Sequence, residues 1–238
     1  MTLHPSRDPQ RSTPQAREAP SATTRLLAVL LLPGIAMTAA GCSVLGLAAN
    51  AMPEADVPAK YSGLRDHSVA VLVWAPRGLE TDFPSLRLDL TTAIQARLQQ
   101  AQKSGRREVK NATFPHTPAS LVRFQQDHPE LERSPIVSVA PRLGVQRLIY
   151  VELENFQTRS DQAVDLYRGA ATVSVRAVEV ENTQAKVAYE ESDLTSQYPP
   201  SAPPEGVPGV GDARIYRGTV DQLATGIAQR FYAHPAGK

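Results

Sequence analysis

From residue 68 onward the apolar positions fall into two periods. Ser68 to Trp74 reads Ser-Val-Ala-Val-Leu-Val-Trp. This unbroken apolar run, rich in β-branched residues, predicts a strand buried on both faces. Ala75-Pro76-Arg77-Gly78 ends it. Leu86, Leu90, Ile94 and Leu98 then recur every four residues, with Ala93 and Ala101 beside them. Arg87, Asp89, Arg97 and Gln100 take the other faces, so the stretch predicts an amphipathic helix with one side on a core. It starts near Phe83-Pro84-Ser85, and Lys103-Ser104-Gly105-Arg106-Arg107 stops it. Residues 108–113 predict a weak second strand. Thr117-Pro118 has the form of a cap followed by a first helical position. The short helix it opens has Leu121, Val122 and Phe124 on its apolar side and closes at His128-Pro129. Ser134-Pro135 repeats the start signal. Ile136, Val139 and Leu143 share a face, Gly144 ends the element, and Pro141 inside it should distort the helix.

Period two takes over at residue 145. Over 145–156, Ile149, Val151 and Leu153 face one way and Tyr150, Glu152 and Glu154 the other. After a polar loop, 157–165, the long stretch 169–181 alternates, with Ala171, Val173, Val175 and Ala177 on one face. Beyond Ala177 the apolar set becomes Val178 and Val180. A one-residue slip turns an apolar set outward unless a bulge restores it, so a bulge or sharp bend is expected near Ala177–Val178. Asn182-Thr183-Gln184-Ala185 predicts a turn, and 186–195 the partner strand, with Val187 and Tyr189 inward. Residues 196–211 hold five prolines (Pro199, Pro200, Pro203, Pro204, Pro208) and three glycines. They cannot be a core strand or helix. They form a surface loop or, alternatively, a docking segment, because Pro-rich stretches lose little entropy when bound. Tyr216, Val220, Leu223, Ile227 and Phe231 make a final helical stripe, with Asp221, Gln222, Gln229 and Arg230 outward and His234-Pro235 at its end. The fold class is α/β (α+β), a single domain built on a mixed sheet of about four or five strands with helices packed on it. The predicted order is β-α-β-α-α-β-β-β-α.

Ahead of this domain the pattern changes. Leu26 to Leu32 reads Leu-Leu-Ala-Val-Leu-Leu-Leu and is broken by Pro33-Gly34. Arg7, Arg11, Arg17 and Arg25 precede it, opposed only by Asp8 and Glu18. A membrane-spanning helix needs about 20 apolar residues, so the run predicts a cleaved export signal instead. It leads to Thr38-Ala39-Ala40-Gly41-Cys42, which resembles a bacterial lipoprotein signal. In that family the Cys thiol receives a diacylglycerol, the peptide is cut before the Cys, and the new amino terminus is acylated. Ala39 stands where the family usually has Leu. The resemblance implies a signal peptide over 1–41, lipid attachment at Cys42, a lipidated tether over 42–60 and the α/β domain over 61–238, with the Pro/Gly-rich loop at 196–211. The competing reading is an ordinary small residue beside an ordinary cleavage site. Cys42 is the only cysteine, so it has no partner thiol for a disulfide. Two or more acyl chains anchor stably where one holds only marginally. By the same resemblance Ser43 favours the outer membrane, facing the periplasm. A tether over 43–60 reaches about 60 Å fully extended and about 20–25 Å as a coil, which keeps the domain near its bilayer.

Charge and motifs narrow the function classes. The chain carries 25 Lys+Arg and 24 Asp+Glu, and residues 42–238 have a formal charge of −1. A near-neutral domain offers no electrostatic footprint for nucleic acid. His4, His67, His116, His128 and His234 stand singly, which excludes a helical zinc pair. No Gly-x-Ser-x-Gly elbow occurs. Gly206 and Gly211 have phosphate-loop spacing, but Asp212 stands where Lys is needed. Asn111-Ala112-Thr113 is a glycosylation sequon by letter only. Glu152 and Glu154 share a strand face and are expected to be solvated rather than engaged in acid–base work. The basic cluster Lys103, Arg106 and Arg107 is expected to complement a helix dipole, with anionic lipid as the alternative. No catalytic residue, cofactor or metal is expected, and the chain is not expected to be an enzyme.

The order of elements, with Ser-Val-Ala-Val-Leu-Val near its start, Leu-Gly-Val-Gln-Arg-Leu-Ile-Tyr-Val-Glu-Leu over 143–153 and Val-Ser-Val-Arg-Ala-Val-Glu-Val-Glu-Asn-Thr-Gln over 173–184, resembles a group of envelope lipoproteins. The group includes the curli-secretion lipoprotein, the lipoprotein activators of penicillin-binding proteins and the amino-terminal domain of the Tol translocation protein. Gly144-Val145-Gln146 and Asn182-Thr183-Gln184 depart from the group's Gly-Ala-Asp and Asp-x-x-Thr-Gly signatures. The resemblance implies binding rather than catalysis. It describes an adaptor of a cell-envelope assembly, held by lipid on Cys42 and touching an envelope protein through its sheet edge or Pro-rich loop. The alternatives are a subunit of an outer-membrane secretion or transport complex, which needs further barrel strands of about 9–11 residues, and an envelope enzyme of unknown type. A deep pocket lined by perturbed acids near Glu152 and Glu154 would be the mark of the enzyme.

Overall fold

Residues 56–160, 165–182 and 184–236 are described by a computed structural model. The expected signal peptide, Cys42 and tether residues 43–55 lie outside the described residues. Within them the chain is a mixed α/β domain, as its periodicity implies. Asp56–Val57 (β1) leads to Val69–Trp74 (β2), Arg77–Asp82 (α1), Leu86–Lys103 (α2), Pro118–Asp127 (α3) and Ile136–Val139 (α4). Arg147–Arg159 (β3), Tyr167–Glu181 (β4), Gln184–Tyr198 (β5), Asp212–Ala228 (α5) and His234–Pro235 (β6) follow. The main sheet has the order β2-β3-β4-β5. β2 lies parallel to β3, and β3, β4 and β5 are successively antiparallel. A parallel pair requires a long crossover; here it is the whole helical stretch from α1 to α4.

The two faces of the sheet are covered unequally. On one, α2 contributes Leu86, Leu90, Ile94 and Leu98 and α5 contributes Val220, Leu223 and Ile227, all packed on Ile149, Val151, Leu153, Val173, Val175 and Ala177. α5 lies so close on β4 that a Cβ at Gly169 would collide with Thr219 Oγ1. On the other face a smaller core joins Ala70, Leu72, Leu148 and Val178 to Leu121, Leu131, Val139 and Leu143. This satellite core explains the change of phase in β4. Ala177 belongs to the first face and Val178 to the second, and the register against β3 runs unbroken through Leu148↔Val178 and Ile149↔Ala177. A register shift does fall at Ala177/Val178, but against β5, where Ala177 pairs with Tyr189 and Val178 with Val187. Ala188 is the extra residue. It puts Val187 and Tyr189 on opposite faces, so Tyr189 packs on the main core while Val187 is 40% exposed, contrary to the expectation that both point inward.

Three other segments differ from their sequence pattern. Residues 108–113 are not a strand: Arg107–Val109 is a 3-10 turn, and Asn111 has φ 57, which an extended strand cannot hold. The pairing expected of them shrinks to one parallel bridge, Ser68 to Thr113. Residues 196–198 continue β5, so the Pro-rich loop starts at Pro199. That loop returns to the lane β5 vacates, where Val207 and Tyr167 exchange both backbone hydrogen bonds at 2.9 and 3.0 Å. The last residues of the expected tether belong to the domain, because β1 pairs antiparallel with β6 and Tyr61 is buried. Pro141 has the foreseen effect: α4 gives way to a 3-10 turn, Ala140–Leu143, closed by Gly144 at φ 62.

Glu191 ties Lys60 and Arg230, from the first and last parts of the described domain, to the sheet edge. Lys60 Nζ lies 2.7 Å from its Oε1, Arg230 Nε donates to Oε2 at 2.9 Å, and the Tyr189 hydroxyl donates to the same oxygen. Burial opposes its charge, but hydrogen bonds from Lys60, Tyr189 and Arg230 outweigh that cost and bring its carboxyl down to about 2. A carboxylate depressed in the folded state contributes stability above its unfolded value and loses it as pH falls through the folded one. Denaturant midpoints should therefore fall between pH 4.5 and 2, and Glu191→Gln should flatten that acid limb. An unchanged limb in the variant would assign the acid sensitivity elsewhere.

Candidate functional site

The crossover creates a cleft as well as a core. Thr117 caps α3, its Oγ1 accepting from Ser120 N at 3.2 Å, and Pro118 takes the first turn. The helix so placed turns Leu121 into the satellite core and leaves Phe124 and Gln125 over the sheet. Gln125 Nε2 donates to Val73 O at 3.0 Å, satisfying a carbonyl on β2, the outer strand of the sheet. The His128 ring packs on Phe124 with centroids 4.8 Å apart. The 3-10 turn Pro129–Arg133 then buries Leu131, and Ser134-Pro135 leads into α4.

Beneath this arch lies a cavity of about 360 Å³. Its floor is Leu72, Trp74, Tyr150, Glu152 and Arg176, and its roof includes Phe124, Leu131, Ile136 and Val139. The volume falls in the range of small-ligand pockets. Glu152 Oε2 accepts from Arg176 Nη1 at 3.0 Å, and Arg176 Nε donates to Glu190 Oε1 at 2.7 Å. The hydrogen bond to Glu190, and a second to Glu152, hold the guanidinium above its usual basicity against its partial desolvation. Burial, reinforced by the Glu152 charge, pushes the Tyr150 phenol up to about 12. The floor at neutral pH is therefore a neutral phenol beside a fixed ion pair. Its chemistry suits an apolar side chain flanked by a polar or cationic group.

The acidic pair singled out in the sequence is divided here. Glu152 lines the cleft, whereas Glu154 accepts from Ser174 Oγ at 2.5 Å. The pairing of β3 with β4 is irregular between Leu153 and Asn155, which sets the two carboxylates on different partners. Each histidine among the described residues is engaged locally: His67 with Arg147 at 3.0 Å, His116 with Leu143 O at 2.7 Å, His128 with Glu130 at 3.2 Å and His234 with Tyr232 O at 3.3 Å. Among the described residues no group of three or more His, Cys, Asp or Glu is placed to hold a metal. None of the described helices is long and apolar enough to cross a membrane. The sequence points to this place through the acidic pair Glu152 and Glu154; the arch over it was not foreseen. The cleft's one further sequence signal is that Trp74, Tyr150 and Glu152 alternate with core residues on strands adjacent in the sheet.

No protein-family model matches the chain, and no curated protein does. Among solved structures it is similar to a PelC dodecamer from Paraburkholderia phytofirmans, at 10% identity and a TM-score of 0.38, over 74% of this chain and 93% of that one. It is also similar to the hypothetical protein CT253 from Chlamydia trachomatis, at 19% identity and a TM-score of 0.33, over 55% of this chain and 71% of that one. A third likeness is to lipoprotein GNA1162 from Neisseria meningitidis, at 13% identity and a TM-score of 0.30, over 55% and 80%.

The cleft wall and the satellite core make separable demands on stability. Leu121 is 1% exposed, so Leu121→Ala should cost about 2–5 kcal/mol. Phe124 is half-buried over the cleft, and Phe124→Ala should cost clearly less in the same urea titration. Equal losses would mean that the ring is needed to hold the arch rather than to line a site.

Proposed function

We propose that this chain is an exported lipoprotein, cut before Cys42 and held in the bacterial envelope by acyl chains on that residue. The single observation that carries the reading is the seven-residue apolar run Leu26–Leu32 leading to Ala39-Ala40-Gly41-Cys42, in a chain with no other cysteine. Ser43 supports placement at the outer membrane. The domain acts as a binding component of an envelope assembly and not as an enzyme. This rests on the lack of a catalytic motif in the sequence and on a cleft with two carboxylates, Glu132 and Glu152, of which the one on the floor, Glu152, is paired to Arg176.

The cleft is the proposed docking point, in place of the Pro-rich loop, which is pinned to β4 by Val207 and by Arg168 Nη1 bonded to Pro204 O at 3.1 Å. Its occupant is an envelope-protein segment that inserts an apolar side chain and carries Lys or Arg. The apolar walls take the first, and the second is matched by Glu132 and by Glu152 on the floor, with Glu190 sharing the one arginine. In the native host, a palmitate analogue should label the wild-type chain and leave Cys42→Ala unlabelled. A photoreactive residue at Ile136 should crosslink one envelope protein, and the same group at the exposed Leu88, on α2, should not. Label retained without Cys42 would end the anchoring claim, and identical crosslinks from both sites would end the docking claim.

A further inference from the structure

The described chain enters the domain at one defined end of the sheet. β1 pairs with β6, and Asp56 Oδ2 accepts from Arg106 Nη1 at 2.6 Å, which fixes residue 56 beside the last turn of α2. Tyr61 N donates to Arg230 O at 3.0 Å and Asp66 N to Lys110 O at 2.9 Å, so residues 61–66 lie along the same end. The stretch 103–110 carries Lys103, Arg106, Arg107 and Lys110 against the single acid Glu108. Arg106 is taken by Asp56, and Arg65 close by is taken by Asp66. Lys103, Arg107 and Lys110 are exposed, and no carboxylate among the described residues lies within ion-pair distance of them. A helix dipole accounts for Lys103 in the last turn of α2, but its influence fades within that turn. It does not account for Arg107 and Lys110, which lie beyond it. This basic end belongs to a chain that is −1 overall from residue 42 onward.

We propose that this end of the domain docks on an anionic bilayer surface, with Lys103, Arg107 and Lys110 against lipid phosphates. The inference rests on the anchoring proposed at Cys42. Thirteen residues separate Cys42 from Asp56, and they cannot span more than about 50 Å even fully drawn out. The lipid therefore holds the domain within reach of the surface, and the point where the chain enters is also where Lys103, Arg107 and Lys110 cluster without an ion pair among the described residues. Asp56, Asp66, Glu108, Glu179 and Glu181 are the acids at this end; Asp56 and Asp66 are already occupied by arginines, and Glu179 and Glu181 lie beside Arg147. Near an anionic surface each Lys or Arg strengthens attraction about fivefold, and salt screens it.

The test uses the Cys42-lipidated chain reconstituted into phosphatidylcholine vesicles with and without phosphatidylglycerol. A fluorophore is placed at Ser104→Cys, at the basic end, or at Ser201→Cys, in the exposed Pro-rich loop, and quenchers are carried on lipid headgroups. The Ser104 probe should be quenched several-fold more with phosphatidylglycerol than without, and the Ser201 probe should not respond. Replacing Lys103, Arg107 and Lys110 by Gln should remove the difference, as should high salt. Equal quenching at the two probes, or quenching at Ser104 indifferent to phosphatidylglycerol or to the triple variant, overturns the docking while the anchor stands. A chain that does not float with the vesicles at all brings down the anchoring reading and the docking with it.

Discussion

The pairing of β3 with β4 under two helices is what the rest of the domain depends on. Ile149, Val151 and Leu153 meet Ala177, Val175 and Val173 across the strands, and all six are essentially excluded from water beneath α2 and α5. Burial of this kind is the dominant favourable term in folding, and it is spent almost wholly on one face. The opposite face receives only the crossover arm of residues 118–143, which seals one end with Leu121, Leu131 and Val139 and arches over the rest without filling it. What remains uncovered is floored by Trp74, Tyr150 and Glu152. The cleft is thus a consequence of unequal coverage, with no dedicated loop needed to build it.

The open strand edge is managed by irregularity rather than by a cover. β5 carries Lys186, Glu190, Glu191 and Asp193, shifts register at Ala188 and again beyond Glu191, and holds Asp193 at φ 56. Charges and bulges of this sort discourage edge-to-edge pairing. The same strand supplies Glu190 to Arg176 on the cleft side and Glu191 to Lys60 and Arg230 on the core side. One strand therefore orients the cleft's only arginine and holds Lys60 and Arg230 together. If the chain is anchored at Cys42, the basic end lies where β2 begins and the cleft where β2 ends at Trp74. Six strand residues separate the two by about 20 Å, so a domain resting on its basic end presents the cleft away from the bilayer.

Much of the fold was legible in the sequence wherever a local rule and a tertiary demand coincide. Leu86, Leu90, Ile94 and Leu98 keep the helical period because one helix face meets one sheet face. Thr117-Pro118 opens α3 because the cap and the ring suit that position whatever lies nearby. The reading strained where two faces are buried at once. Val178 and Val180 resemble a slip only if the far face of the sheet is assumed wet, and Val187 resembles a core residue only if β5 has no bulge. Residues 108–113 have strand-like letters, yet Asn111 turns the chain. Beyond the acidic pair and the alternation on β2 and β3 the cleft had no local signature. Trp74, Tyr150 and Glu152 are single alternating positions, and their meeting with Phe124 and Ile136 is decided by where a crossover of more than seventy residues comes to rest.

The helical arm is anchored on a small core of its own and should be less stable than the sheet it crosses. Native-state amide hydrogen exchange tests this directly, because it resolves local openings from global unfolding. Amides of Ile149, Val151, Val173 and Val175 should exchange only through global unfolding. Those of residues 121–127 and 136–140 should exchange through a smaller opening with a weaker denaturant dependence. Protection of the arm equal to that of the central strands would contradict the account, since it would make arm, cleft and sheet one cooperative unit.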